Sequence, residues 1–110
     1  MTMLANAHAE RVDTTGGLKI FVRSWRPATK ARAVVAICHG VKSLSGYYTW
    51  VAEQFVANGL AVYALDLRGR GKSDGERYYV DKFSEYQSDL DMTVKIAKAR
   101  EPGMKVFLLG

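Results

Sequence analysis

The sequence predicts an α/β domain with a mostly parallel sheet, an N-terminal antiparallel hairpin and crossover helices. Three observations predict it. Residues 33–38, 60–65 and 105–109 are nearly unbroken apolar runs, the pattern of strands buried on both faces. Apolar residues at helical spacing fill the two intervals between those runs. Strand, helix, strand, helix, strand in that order closes as a parallel sheet with right-handed crossovers.

The elements follow in order. Residues 1–10, MTMLANAHAE, hold an A-x-A at Ala5-Asn6-Ala7. They lack the basic start and the apolar stretch of about 7–15 residues that a signal peptide needs. Residues 1–9 are therefore expected to be a mobile tail, with His8 in it. Glu10-Arg11-Val12-Asp13 leads into Thr14-Thr15-Gly16-Gly17, and 19–25 alternates with period two. That reads as a hairpin turned at the two glycines. Pro27 stops its second strand, and 28–32 is a polar connector. In 47–58, Tyr48, Val51, Ala52, Phe55 and Val56 lie on one helical face, and Asn58-Gly59 is a C-terminal stop. A glycine-rich loop, 66–77, follows the second run. A long helix then carries Phe83, Tyr86, Leu90, Val94 and Ala97 on one stripe, widened by Met92 and Ile96. Asp89 and Asp91 are expected on its solvent side. Pro102-Gly103 ends that helix before the third run.

Composition excludes several classes. A chain of 110 residues with 48% hydrophobic and 25% charged residues, two Pro and ten Gly is a globular domain or part of one, not a disordered, collagenous or coiled-coil chain. No apolar run approaches the roughly 20 residues of a membrane-spanning helix. The single cysteine, Cys38, excludes an intrachain disulfide and a Cys-cluster metal site, and it fits a reducing, cytoplasmic compartment. The net charge of +5 is spread among interleaved acids, which points to a mixed solvated surface and away from nucleic acid. A parallel sheet needs helices on both faces, and Gly110 directly follows a strand that would leave an open edge. Residues 1–110 are accordingly expected to be the N-terminal part of a single larger domain.

Ligands of open α/β sheets bind outside the carboxyl ends of the strands. Three segments meet at that edge: Cys38-His39-Gly40-Val41, Asp66 to Gly75, and Gly110. Gly71-Lys72-Ser73 resembles the tail of a phosphate-binding loop, but Asp66 stands where that loop needs its first glycine. In the dinucleotide pattern Asp74 replaces the last glycine, so no cofactor is expected. His8 and His39 are far apart with no carboxylate at ligand spacing, which predicts no metal site. Cys38 and His39 are neighbours on a strand and point to opposite faces, so they form no dyad.

Taken together, His39-Gly40-Val41, Ser45-Gly46-Tyr47-Tyr48, the stretch Asp66-Leu67-Arg68-Gly69-Arg70-Gly71-Lys72-Ser73-Asp74-Gly75-Glu76-Arg77, and Phe107-Leu108-Leu109-Gly110 resemble the opening of the α/β-hydrolase fold. They are most similar to its monoacylglycerol lipase and lysophospholipase branch, which carries HG, then D-x-x-G-H-G-x-S-x-G-x-R, then F-L-L-G before its nucleophile. The resemblance covers residues 18–110. Arg70 stands where the branch has histidine, and Lys42, Leu44 and Tyr47 also depart from it.

The resemblance implies that Gly110 is the first glycine of a G-x-S-x-G elbow, with serine two residues further on and the acid and histidine later. His39 is excluded from the triad by chain order and becomes, with Gly40, support for an oxyanion loop. That loop would present the Val41 N–H as donor. Asp66, Gly69, Gly71 and Ser73 would brace the ground beneath the elbow. A small acyl ester of monoacylglycerol or lysophospholipid type would be cleaved through an acyl-enzyme, without cofactor and with peripheral membrane contact possible for the acyl chain. Residues 1–110 alone, lacking the triad and the C-terminal portion of the fold, would be inactive. The alternative is a non-catalytic binding or interaction module on the same fold.

Overall fold

A computed structural model, describing residues 6–28, 30–38, 48–69, 71–75, 77 and 83–109, places the apolar runs at the centre of one five-stranded sheet. The strands are β1 (Asn6–Asp13), β2 (Lys19–Arg26), β3 (Ala33–Cys38), β4 (Leu60–Asp66) and β5 (Val106–Leu109), in the order β1-β2-β4-β3-β5. β1 and β2 form the antiparallel hairpin, and β2 pairs antiparallel with β4. β3 lies between β4 and β5, parallel to both. Helix α1 (Thr49–Ala57) connects β3 to β4, and α2 (Phe83–Arg100) connects β4 to β5.

Two helices on opposite faces explain why the central strands are apolar at every position. Val62 and Ala64 of β4 and Val35 and Ile37 of β3 pack with Trp25 against Ala52 and Val56 of α1. The alternate residues Ala61, Tyr63, Leu65 and Val34 pack with Ile20 and Val22 against Ala97 of α2, which Tyr86, Leu90 and Ile96 flank. Each fully buried Val, Ile or Leu contributes about 1.5–3 kcal/mol, so these two layers dominate the stability. Helix α1 stops where Asn58-Gly59 predicts, the Asn58 and Gly59 N–H groups bonding back to the Phe55 and Val56 carbonyls.

Two expectations are corrected. The first strand starts at Asn6, so residues 6–9 belong to the sheet and not to a tail: Ala7 opposes Trp25, and His8 opposes Ser24. Backbone pairing against β2 needs no apolar side chain, which is why composition did not reveal it. On α2, Asp91 is exposed as expected, but Asp89 is completely buried. Asp89, Thr93 and Ala97 follow one another at i, i+4 and i+8 and form the innermost line of the helix.

β5 is one of the two edge strands of the sheet, opposite β1. Phe107 and Leu108 are 55% and 64% exposed, and a groove of about 500 Å³ runs between Leu90 and Val94 of α2 and Val106 and Leu108 of β5. No helix among the described residues is long and apolar enough to cross a membrane.

Candidate active-site edge

The carboxyl ends of β3, β4 and β5 lie along one sheet edge because the three strands are parallel and adjacent. Of the residues assigned to this edge, His39, Gly40, Val41 and Gly110 lie outside the described residues, as does Arg70. Asp66, Gly69, Gly71 and Ser73 are described, and they come together in one loop.

Asp66 ends β4 and anchors that loop twice. Its carboxylate accepts the Lys72 N–H at 3.1 Å, and its carbonyl accepts the Ser73 hydroxyl. The Ser73 oxygen in turn accepts the Phe21 N–H of β2 at 2.7 Å. With its proton given to a carbonyl and only 1% exposure, Ser73 has neither the base nor the access that a nucleophile needs. Gly69 and Gly71 take positive φ of 75° and 49°, and the Gly69 N–H bonds to the Asp74 carbonyl at 2.8 Å. Arg77 closes the loop by donating to the Gly71 and Ser73 carbonyls at 2.8 and 2.7 Å.

The hairpin fastens the outer side. Asp74 exchanges backbone and side-chain bonds with Lys19: its N–H reaches the Lys19 carbonyl at 2.9 Å, and its carboxylate takes the Lys19 N–H at 3.0 Å. Arg11 spans the Asp74 carboxylate and the Lys72 carbonyl, the latter at 2.9 Å. The Lys19 N–H, then Arg11, hold the Asp74 carboxyl below the usual carboxylate range. Gly75 crosses Gly69 so closely that an added Cβ would lie 2.8 Å from the Gly69 nitrogen, at a φ of +116°. Gly75→Ala is therefore expected to cost about 1–3 kcal/mol, read as a lower urea midpoint; an unchanged midpoint would mean that the crossing is not rigid.

Behind the loop lies an ion pair that sequence reasoning missed. Asp89 of α2 accepts the Arg68 backbone N–H and Nε at 3.1 Å each on one oxygen, and Arg68 Nη2 and the Thr14 hydroxyl at 2.8 Å each on the other. Arg68 is 4% exposed and Asp89 is fully buried. Four donors on one carboxylate hold β4's exit, the hairpin turn and α2 at fixed separation. Its sequence signal was a polar residue on the line that continues through Ala97, with an arginine just past a strand end. At the end of β3, burial pushes the Cys38 thiol up, so it stays protonated and packs beside the core as a small apolar group.

Comparison with known proteins bears on this edge. A family described as "Serine aminopeptidase, S33" matches residues 29–110. Over 95 residues the chain is 41% identical to a monoacylglycerol lipase of Mycolicibacterium smegmatis, covering 86% of this chain and 34% of that protein. It is 35% identical over 94 residues to the monoglyceride lipase of Homo sapiens, covering 86% of this chain and 31% of that one. A carboxyl esterase from Bacillus coagulans superposes with a TM-score of 0.85 at 22% identity, over 99% of this chain and 36% of the esterase. The chain thus spans about a third of the length of the curated relatives it matches.

Proposed function

The chain belongs to the serine aminopeptidase S33 family and has the opening architecture of the α/β-hydrolase fold, and from that membership we propose that it forms the leading third of a serine hydrolase of carboxylic esters. The proposed substrates are acyl lipids of monoacylglycerol or lysophospholipid type. The observation that carries this reading is the match over 95 residues, at 41% identity, to a protein named monoacylglycerol lipase.

In the proposed reaction, a serine two residues past Gly110 attacks the ester carbonyl carbon while a histidine takes its proton. That proton passes to the departing alcohol, leaving an acyl-serine. Water, deprotonated by the same histidine, then releases the fatty acid and regenerates the serine. This chain's part is to stabilise the oxyanion through the Val41 N–H, held by His39 and Gly40, and to brace the elbow with the Asp66, Gly69, Gly71 and Ser73 loop. Support for the bracing role comes from the bonding of that loop: the Ser73 hydroxyl, the Asp66 carboxylate and the Asp66, Gly71 and Ser73 carbonyls are engaged within the loop or with β2. The open edge of β5, with Phe107 and Leu108 exposed, is where the remaining strands of the fold would add. The single cysteine supports a cytoplasmic setting, and an acyl substrate would call for contact with a membrane surface.

The experiment is ester hydrolysis. A polypeptide that continues through the elbow and the later acid and histidine is expected to cleave p-nitrophenyl butyrate and a long-chain monoacylglycerol, and residues 1–110 alone to cleave neither. A continuous polypeptide that binds monoacylglycerol but cleaves no ester would establish the non-catalytic module instead.

A further inference from the structure

We propose that the end of the sheet away from the carboxyl ends of β3, β4 and β5 carries an oxyanion-binding cavity that takes a small phosphorylated molecule. His8, Ser24 and Tyr63 stand in register on β1, β2 and β4, His8 opposite Ser24 and Ser24 opposite Tyr63. With Arg26, Lys30 and Arg100 they line a cavity of about 640 Å³.

Ser24 carries the argument. It is 2% exposed, it lines the cavity, and its hydroxyl makes no hydrogen bond among the described residues. A buried hydroxyl without a partner is unfavourable, and buried polar side chains are nearly always satisfied by protein, water or ligand. The volume is far above the roughly 30 Å³ of one water, so the space suits a molecule.

Charge chooses the kind of molecule. Arg26 donates through Nε and Nη2 to the buried Glu101 carboxylate at 2.5 and 3.2 Å, and Tyr63 donates to the same carboxylate at 3.2 Å. Burial, then Glu101, pushes the Tyr63 hydroxyl up to about 12, so it remains a neutral donor. Arg100 is paired with Glu10. Both guanidiniums are thus held in place by a carboxylate while keeping N–H groups unspent, the arrangement that suits a phosphate. Lys30 has no carboxylate partner among the described residues, and its ammonium leaves the lining with an excess of one positive charge. Ser24 Oγ–H, the Lys30 ammonium and the arginine N–H groups not spent on Glu101 and Glu10 together match a tetrahedral dianion.

The test uses the polypeptide that continues past Gly110 and completes the fold, with inorganic phosphate as probe and sodium chloride at matched ionic strength as control, followed by amide NMR shifts. Phosphate is expected to give saturable shifts around Ser24 and Lys30 that chloride does not. Ser24→Ala and Lys30→Ala are each expected to weaken the phosphate affinity about tenfold. Without phosphate, Ser24→Ala is expected to raise Tm, on the order of 4 °C, because it removes an unpartnered buried hydroxyl. Opposite signs on affinity and stability distinguish a ligand contact from a packing role. Shifts equal to those in chloride, or a phosphate affinity unchanged in both variants, would overturn the proposal.

Discussion

Replacing Val41 with proline is expected to lower the kcat for ester hydrolysis about 10²–10³-fold in a polypeptide that continues through the elbow, the acid and the histidine, because on the proposed reading it deletes one of two oxyanion donors. Proline has no N–H, whereas every other substitution at this position keeps one. Val41→Ala is the control: it trims the side chain and retains the donor, so kcat should stay within a few-fold of the parent. The effect should fall on kcat with little change in KM, since the oxyanion exists in the transition state and not in the bound ester. Proline also fixes φ, so the variant's melting must be compared with the parent's to show that the loop still folds. Equal kcat for the proline and alanine variants would remove Val41 from the oxyanion hole.

Breaking the Arg68–Asp89 pair should produce the largest loss of stability. Asp89→Ala leaves a guanidinium in the interior without its carboxylate, and removing one partner of a buried pair costs about 3–5 kcal/mol. That is a large fraction of the roughly 5–15 kcal/mol by which small domains are stable. Glu85, 3.8 Å from Arg68 and about a third exposed, is too distant and too solvated to substitute. The double variant Arg68→Met with Asp89→Leu should recover much of the loss, because two packed apolar side chains need no hydrogen bonds. Asp91→Ala, at an exposed position of the same helix, should change stability by no more than about 0.5 kcal/mol. Urea midpoints of the four chains decide it: equal effects at Asp89 and Asp91 would mean that the buried pair does not hold the loop.

The sheet centre was legible in the sequence because its physics is local. β3 and β4 are apolar at successive positions, a pattern that only a strand covered on both faces requires, and both appear where expected. Pro27 and Asn58-Gly59 marked element ends through their own backbone chemistry. The loop after β4 was legible as a loop from its glycines. Its internal bonding was not, since the partners of Ser73 and Asp74 include Phe21 and Lys19 from a strand more than 50 residues earlier. Asp89 was read as solvent-facing for the same reason. Its charge is tolerable inside only because Arg68 and Thr14, 21 and 75 residues away, arrive at the same point. Residues 6–9 gave no apolar signal because the hairpin partner, not the side chains, makes them a strand.

The most direct measurement is to treat two proteins with a fluorophosphonate probe and map the modified residue: residues 1–110 alone, and a polypeptide continuing past Gly110 through the acid and the histidine of the triad. The account predicts a single covalent adduct in the longer protein, on the serine two residues beyond Gly110, and none on the shorter one. An adduct on Ser43, Ser45 or Ser73, or no adduct on the longer protein, would contradict it.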